Sequence, residues 1–313
     1  MPVYLSIIIL VILFVVLGFS ANIVVGSIKK IAHKLKVPIF LLGLILGLLT
    51  SLPELSIAVN AAINGVEDVS VGNLLGGIVV LLGLILGLNL ILNRKVKTDG
   101  KITTPLPGFI LLMLPLFMGL DGKLGIIDGV FLCIGYIAVL AHLYRKNRSI
   151  VEKPVLGVML YNKRLTREIV LILAGTLVIV VSSNLMIHIT TNILEQFHVS
   201  GFLVGLIVFS LGTNLPELTV TLTSWRKKIK EVAFSHLLGS AIANPLILGT
   251  IALLSPISIT VDRSFILILY FFPILFAMLL YFYQSHKTLS RVEGIFLLIM
   301  FMTFGFLQLG IFY

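Results

Sequence analysis

The chain has 313 residues, of which 58% are hydrophobic and only 12% are charged. A soluble domain of this length would carry far more charge, so the composition excludes that class and indicates an integral membrane protein. The formal net charge of +10 does not indicate a nucleic-acid partner, because the basic residues cluster between apolar segments, where they set membrane topology. The single cysteine excludes an intramolecular disulfide.

Ten apolar segments follow one another along the chain, and the first lacks the basic start and cleavage site of a signal peptide. Runs of about 17–25 apolar residues exclude a β-barrel, and lipid leaves the helix as the remaining spanning structure. We therefore predict an all-α integral membrane protein with ten transmembrane helices. The predicted spans cover roughly residues 4–26, 37–64, 70–93, 104–120, 124–144, 166–188, 199–224, 232–255, 261–283 and 291–312.

Lysine and arginine are concentrated in every second loop. The basic loops fall at residues 29–36, 94–101, 145–167, 226–230 and 287–291, whereas the loops between them contain few basic residues. By the positive-inside rule, the basic loops face the cytoplasm. With ten spans, both termini are then expected on the extracytoplasmic side.

One short phrase occurs twice, as Thr50-Ser51-Leu52-Pro53-Glu54 and as Thr213-Asn214-Leu215-Pro216-Glu217. The copies are separated by 163 residues, and the same offset carries Gly76 onto Gly239 without a gap. This indicates a duplication, with a first five-helix repeat in residues 1–150 and a second in 151–313. Five spans is an odd number, so the second repeat is inverted in the membrane, a pattern typical of secondary transporters.

The repeated phrase places a helix breaker before a carboxylate. Pro53 and Pro216 each remove a backbone donor, so we predict that helices 2 and 7 are broken and expose free carbonyls. Glu54 and Glu217 lie deep in these spans, where an unpaired charge costs about 2.5–3.5 kcal/mol and calls for a partner. Oxygen ligands favour a hard divalent cation such as calcium, and the hydroxyl candidates are Thr50, Ser51 and Thr213.

A purely structural role for these residues is also compatible with the sequence. The two phrases could be proline-kinked structural helices whose glutamates are protonated and hydrogen-bonded. Gly76 and Gly239 are expected to let helices approach closely. Three further polar residues in apolar runs could face an ion path or serve packing: Asn73, Ser240 and Asn244. His236 could be a proton-sensitive group or a packing residue.

With these motifs, the chain resembles the sodium/calcium exchangers of the cation/calcium antiporter superfamily. The first signature of that family is similar to Thr50–Glu54 followed by Gly72–Gly77, and the second to Gly212–Glu217 followed by Ser235–Asn244. The resemblance covers nearly the whole chain. It implies ten spans in two inverted repeats, and an antiporter without enzymatic activity or organic cofactor. It also implies a monomer in a prokaryotic plasma membrane, with the lipid bilayer and the transported cations as partners.

The resemblance further implies a set of four ion sites. Glu54 and Glu217 would hold the central calcium together with the backbone oxygens of Thr50 and Thr213. One flanking sodium site would use the Gly47 carbonyl, the Ser51 hydroxyl and Glu54. The other flanking site would use the carbonyl of Ser210 together with Asn214, Ser240 and Glu217. Spans one and six would slide past the other helices to alternate access.

Some positions depart from the family pattern. Gly77 stands where the family has serine, Leu81 where it has a polar residue, and Asn214 where it has serine or threonine. The central calcium site is thus intact, whereas the sodium pockets are altered. We predict exchange of calcium for sodium or another monovalent cation, with a calcium/proton exchanger as the alternative. A cation channel and a homologue with altered ion selectivity are further hypotheses. Zinc-hydrolase and nucleophile-elbow motifs are absent.

Overall fold

The computed structural model describes residues 3–34, 51–146, 165–197, 199–226, 233–285 and 287–310. In that part of the chain, eight helices are long and apolar enough to cross a membrane, and two shorter apolar helices accompany them. The predicted all-helical membrane class is confirmed. The first half of predicted span two, together with Gly47 and Thr50, lies outside the described residues, so the count of ten spans stays a prediction.

In its described part, the first half of the chain contains six α-helices and two short strands. In chain order these are α1 (Val3–Lys34), α2 (Leu52–Ile63), α3 (Glu67–Val79), a π-helical segment (Val80–Ile85), α4 (Leu86–Asn93), β1 (Lys95–Lys97), α5 (Leu106–Met118), β2 (Lys123–Leu124) and α6 (Ile126–Lys146). α3, the π segment and α4 form one nearly continuous span. Its buried residues form the largest hydrophobic core, together with residues of the later helices.

The described part of the second half starts with one long helix and continues with shorter ones. The elements are α7 (Leu165–Phe197), α8 (Gly201–Val204), a π-helical segment (Gly205–Phe209), α9 (Ser210–Thr213), α10 (Leu215–Arg226), α11 (Ala233–Leu254), β3 (Ile257–Ser258), α12 (Arg263–Ser285), β4 (Thr288–Ser290) and α13 (Arg291–Leu309). Asn214 stands between α9 and α10, so a helix ends and another begins within predicted span seven.

Two helices are longer than predicted. α1 continues to Lys34, so the first basic cluster begins on the helix rather than in a loop. α7 continues to Phe197, nine residues past the predicted end of span six. α1 and α7 pack together, and Lys30 Nζ lies 3.2 Å from Glu168 Oε1 near one end of the pair. Hydropathy underestimated both helices because neighbouring residues support their added ends. Lys30 of α1 pairs with Glu168, and Ile189, Ile193 and Leu194 of α7 pack against a buried apolar cluster.

Glycines let α3 pack against span seven at the backbone level. A Cβ built on Gly72 would collide with the Phe202 carbonyl oxygen, and one built on Gly76 would collide with that of Leu206. From the other side, a Cβ on Gly205 would collide with the Val69 carbonyl oxygen. The predicted packing role of Gly76 is confirmed. No described atom lies within 4 Å of a Cβ built on Gly239, so its packing role stays a prediction.

A buried polar cluster joins α2 to α7. The Asn60 amide nitrogen donates to the Ser56 carbonyl at 2.8 Å and to the Ser183 hydroxyl at 2.8 Å, while its oxygen accepts from Asn184 Nδ2 at 3.0 Å. The hydroxyls of Ser56 and Ser183 lie 2.6 Å apart. In an apolar medium such bonds fix the relative position of two helices, because their groups have few other partners.

We expect Asn60→Ala to loosen this contact. It removes two hydrogen bonds to α7, each worth about 0.6 kcal/mol between membrane helices, and one bond within α2. The free energy of unfolding should therefore fall by about 1 kcal/mol. Thermal unfolding of the purified protein in detergent measures the change. The control is Asn192→Ala, because Asn192 is exposed on α7 and its side chain bonds only within that helix. Equal melting temperatures for both variants would contradict the prediction.

Two short antiparallel ribbons tie distant connections together. β1 pairs with β4, with Lys95 opposite Ser290 and Lys97 opposite Thr288. β2 pairs with β3, with Lys123 opposite Ser258 and Leu124 opposite Ile257. Each ribbon therefore joins a connection in the first half of the chain to one in the second half.

Candidate functional site

Glu54 and Glu217 occupy the same local position in two helices. α2 begins at Leu52 and α10 at Leu215, so each glutamate lies in the first turn directly after a proline. Proline is favoured there because its missing N–H would have no helical acceptor. The free N–H groups and the positive end of the helix dipole favour a negative side chain in the first turn. The sequence thus builds two helix starts that each present a carboxylate.

Both glutamates are buried, with 3% of Glu54 and 2% of Glu217 exposed. Their carboxylates are close enough to repel each other electrostatically. Oε2 of each glutamate is fully buried and has no hydrogen-bond partner among the described residues. A buried carboxylate oxygen without a hydrogen bond costs free energy, and each of the two glutamates has one. A cation between the carboxylates, or protonation, would resolve both the repulsion and the missing bonds.

Asn73 and Thr213 extend the site beside the glutamates. The Thr213 hydroxyl donates to Asn73 Oδ1 at 3.2 Å, and the Thr213 side chain also contacts the Glu54 carboxylate. Both residues are fully buried, and Asn73 Nδ2 has no partner among the described residues. The structure therefore brings α3, α9 and α2 together around Glu54.

The remaining predicted site residues on spans seven and eight are also buried. Asn214 Nδ2 donates to the Ser210 carbonyl at 2.8 Å, and the Ser210 hydroxyl donates to the Leu206 carbonyl at 2.5 Å. Asn244 Nδ2 donates to the Leu74 carbonyl at 2.8 Å. Their amide nitrogens and the Ser210 hydroxyl therefore already have internal acceptors. This use of the Ser210 carbonyl by Asn214 is a feature that the sequence did not reveal.

Ser51 and Ser240 are buried, since 3% of Ser51 and 2% of Ser240 is exposed, and both have interaction partners. Gly47 and Thr50 lie outside the described residues, as does the side chain of His236. In the described part of the chain, no group of three or more His, Cys, Asp or Glu side chains could hold a metal ion. The ligand roles assigned to individual residues remain predictions.

Comparison with known proteins identifies the family. A family model described as sodium/calcium exchanger protein matches residues 5–145 and 167–310. The chain belongs to the sodium/calcium exchanger family. The match covers most of both predicted halves of the exchanger, including both Leu-Pro-Glu phrases. The resemblance identified from the motifs is confirmed.

The exchanger is similar to named relatives and to solved structures. It is 28% identical over 252 residues to the putative antiporter CaxA of Alkalimonas amylolytica, covering 77% of this chain and 78% of that protein. The fold matches the H⁺/Ca²⁺ exchanger CAX with a TM-score of 0.76 at 15% identity, covering 95% of this chain and 81% of CAX. It matches the sodium-calcium exchanger NCX_Mj with a TM-score of 0.64 at 22% identity, covering 96% and 98%.

Family and fold are those of secondary transporters and not of enzymes, which confirms the prediction made from the sequence. The chain is a multi-pass membrane antiporter of the cation/calcium type. Within that class, the exchanged ions and the residues that bind them are matters for proposal.

Proposed function

We propose that the protein is a secondary active antiporter that exchanges calcium for sodium or another monovalent cation. Glu54 and Glu217 form its central site near the middle of the membrane, and the site opens to the two sides in turn. The ions are the transported substrates, and no organic cofactor takes part.

One observation carries this proposal. Two buried glutamates, each in the first turn of a helix that begins with Leu-Pro-Glu, repel each other electrostatically. Each has one carboxylate oxygen without a partner among the described residues. Two negative charges match one calcium ion, and carboxylate, hydroxyl and carbonyl oxygens are the ligands that calcium prefers. A cation that binds both carboxylates would remove their repulsion, so a charged site can persist at membrane depth.

Several features support the inverted repeat with interrupted helices. Corresponding backbone hydrogen bonds close the starts of α2 and α10. The Leu55 N–H donates to the Ser51 carbonyl at 2.9 Å, and the Leu218 N–H donates to the Asn214 carbonyl at 3.1 Å. The two ribbons also follow the repeat, because the 163-residue offset carries β1 onto the region of β3 and β2 onto that of β4. The alternation of basic loops supports an orientation with both termini outside the cytoplasm.

Antiport follows when two substrates compete for the same charges. Calcium neutralises both glutamates, and monovalent cations or protons can replace it at the same oxygens. If the protein cannot change from one orientation to the other while the site is empty and doubly charged, each change of orientation requires that one of the competing cations is bound. α1 and α7, joined by the Lys30–Glu168 ion pair, are suited to move as one unit against the rest.

Calcium/proton exchange is the second candidate. Gly77 and Leu81 stand where the family pattern has a serine and a polar residue, and neither has a side-chain oxygen. Fewer ligands are then available to a monovalent metal ion. A proton needs no such ligands, because it binds a carboxylate oxygen directly.

The test is uptake of radioactive calcium into proteoliposomes at clamped voltage. An outward sodium gradient is compared with an outward proton gradient of the same size. Uptake driven by sodium supports the first candidate, and uptake driven only by protons supports the second. Absence of uptake with either gradient would overturn the proposed function.

A further inference from the structure

We propose that the β1–β4 ribbon and its flanking residues bind the phosphate head group of an anionic phospholipid. The surface consists of residues 94–101 and 287–291, which we call the basic ribbon. It lies at the end of the helices that the charge pattern assigns to the cytoplasm. Lipid binding at this surface is independent of which cations the protein exchanges.

The basic ribbon concentrates positive charge in a small area. β1 and β4 are antiparallel neighbours, with position 95 opposite 290 and position 97 opposite 288. Opposed residues in such a pair have Cα atoms about 4.5–5.5 Å apart, so the two segments form one compact patch. A cluster of this size beside transmembrane helices is typical of sites for anionic lipid head groups. The patch contains six basic residues: Arg94, Lys95, Lys97, Lys101, Lys287 and Arg291.

The positive charges are not neutralised within the described part of the chain. The two acidic residues nearest in sequence have other partners. Asp99 accepts from the Thr104 hydroxyl, and Glu293 accepts from the Ser290 backbone N–H at the start of α13. Four of the basic residues are exposed and form no ion pair with a described residue: Arg94, Lys101, Lys287 and Arg291.

Two of these basic residues stand where the backbone favours glycine. Arg94 has a φ of 64° and Lys287 a φ of 52°, and they are the two non-glycine residues with positive φ in the described ranges. Each lies directly before a strand of the ribbon. A left-handed backbone is strained for any residue with a Cβ, and glycine would relieve the strain. Strained residues cluster at functional sites, which indicates that both basic side chains serve a purpose there.

The loop after β1 is shaped around the side chain of Lys287. A Cβ built on Gly100 would lie 2.6 Å from Lys287 Cγ, so only glycine leaves room for that side chain. The Lys287 carbonyl accepts from the Thr98 N–H at 2.8 Å. The first part of the Lys287 side chain is therefore held against the loop, which restricts where its ammonium group can lie.

Lipid-facing apolar surface begins directly beside the charges. α13 starts at Arg291, and its following exposed residues are spaced as one helix face: Val292, Ile295, Phe296 and Ile299. A phospholipid has the matching arrangement, an anionic head group next to apolar acyl chains. A soluble anion or an acidic protein would use the charges without the apolar face, so a lipid is the partner that fits both.

The β2–β3 ribbon provides a contrast within the same fold. α5 and α12 each have one strand before and one after them, so the two ribbons lie at opposite ends of these helices. The basic residues at the β2–β3 ribbon are Lys123 and Arg263, and each has an aspartate within two positions, Asp121 and Asp262. Excess positive charge is thus a property of one ribbon and not of the ribbon architecture.

The test compares phosphatidylglycerol with phosphatidylcholine of the same acyl chains, added to the purified protein in detergent. Native mass spectrometry at increasing lipid concentration gives the affinity for each lipid, and the wild type should bind phosphatidylglycerol more tightly. Arg94→Gly combined with Lys287→Gly should weaken that binding about fivefold per charge, or about 25-fold together. The melting temperature without lipid should stay the same or rise, because glycine relieves the strain. A merely structural role for the two side chains would lower it.

Matched variants isolate the effect of charge. Arg94→Lys combined with Lys287→Arg keeps both charges and should keep the preference for phosphatidylglycerol. Lys123→Gln combined with Arg263→Gln removes two charges from the other ribbon and should bind both lipids as the wild type does.

A second loss-of-charge variant keeps the test decisive if the glycine variant does not fold. Lys101→Gln combined with Arg291→Gln removes two other charges of the basic ribbon and should weaken phosphatidylglycerol binding by a similar factor. The proposal is overturned if the wild type binds both lipids equally, or if a folded loss-of-charge variant keeps the preference. It is also overturned if inorganic phosphate at the same concentration displaces phosphatidylglycerol, because the surface would then bind free anions.

Discussion

Glu54→Gln and Glu217→Gln are each expected to abolish calcium exchange. Each substitution removes one of the two buried charges but keeps the size of the side chain, so folding should be preserved. Two opposite unit charges about 4 Å apart attract each other with an energy of about 4 kcal/mol at an effective dielectric constant near 20. For a divalent ion that loses one of two carboxylates, calcium affinity should fall at least about a thousandfold.

Two measurements check this expectation. Calorimetric titration of calcium into the purified protein gives the affinity, and radioactive calcium uptake into proteoliposomes gives the flux. The matched control is Glu195→Gln, because Glu195 is an exposed glutamate on α7 and should leave both quantities unchanged. Both site variants should be affected to a similar degree, since each glutamate has the same place at a helix start. Normal calcium flux in either variant would show that the substituted glutamate does not belong to the site.

The glutamate pair could be predicted from the sequence because its signals are local. Proline directly before a carboxylate in an apolar run identifies both a helix start and a buried charge, whatever the rest of the chain does. The constant offset between the two copies then indicates that the helices are equivalent. In the structure both glutamates are buried, and each is close enough for its charge to act on the other.

The hydrogen bonds around the pair could not be predicted in the same way. Asn60 bonds Ser183 and Asn184, which lie more than 120 residues further along the chain, and no local pattern relates them. Their one signal in the sequence is polarity within an apolar run, and the predicted ion path included only Asn73, Ser240 and Asn244 on that ground. The direction in which an amide donates can depend on an acceptor from another helix, so the donor role of Asn244 toward the Leu74 carbonyl on α3 required coordinates.

The ends of the helices show a similar limit. Hydropathy locates the part of a helix that lipid surrounds, and α1 and α7 both continue beyond it. The extra turns of α1 are supported by the ion pair between Lys30 and Glu168. Those of α7 are supported by Ile189, Ile193 and Leu194, which pack against a buried apolar cluster. Residues that leave the apolar region can therefore stay helical when a neighbouring helix supplies partners.

Gly72→Ala is expected to prevent the native packing of α3. Its Cβ would collide with the Phe202 carbonyl oxygen, which is backbone and cannot rotate away. Overpacking a close-packed interior typically costs about 1–3 kcal/mol, and a clash with backbone falls at or above the upper end. The helices would have to separate, so the folded yield after detergent extraction should drop sharply, as measured by size-exclusion chromatography.

Gly305→Ala is the matched control, because no described atom lies within 4 Å of a Cβ at that position of α13. It should behave as the wild type does. If Gly72→Ala also elutes as a monodisperse protein with an unchanged melting temperature, α3 and span seven are not in backbone contact.

Any folded fraction of Gly72→Ala is informative about the site. Gly72 directly precedes Asn73, whose oxygen accepts from the Thr213 hydroxyl, so separating the helices moves Asn73 away from span seven. Calcium affinity in that fraction should therefore fall even though no proposed ligand has been replaced. The same glycine contacts that let the two helices approach each other also bring the two halves of the site within reach of one ion, which makes close packing a condition of binding.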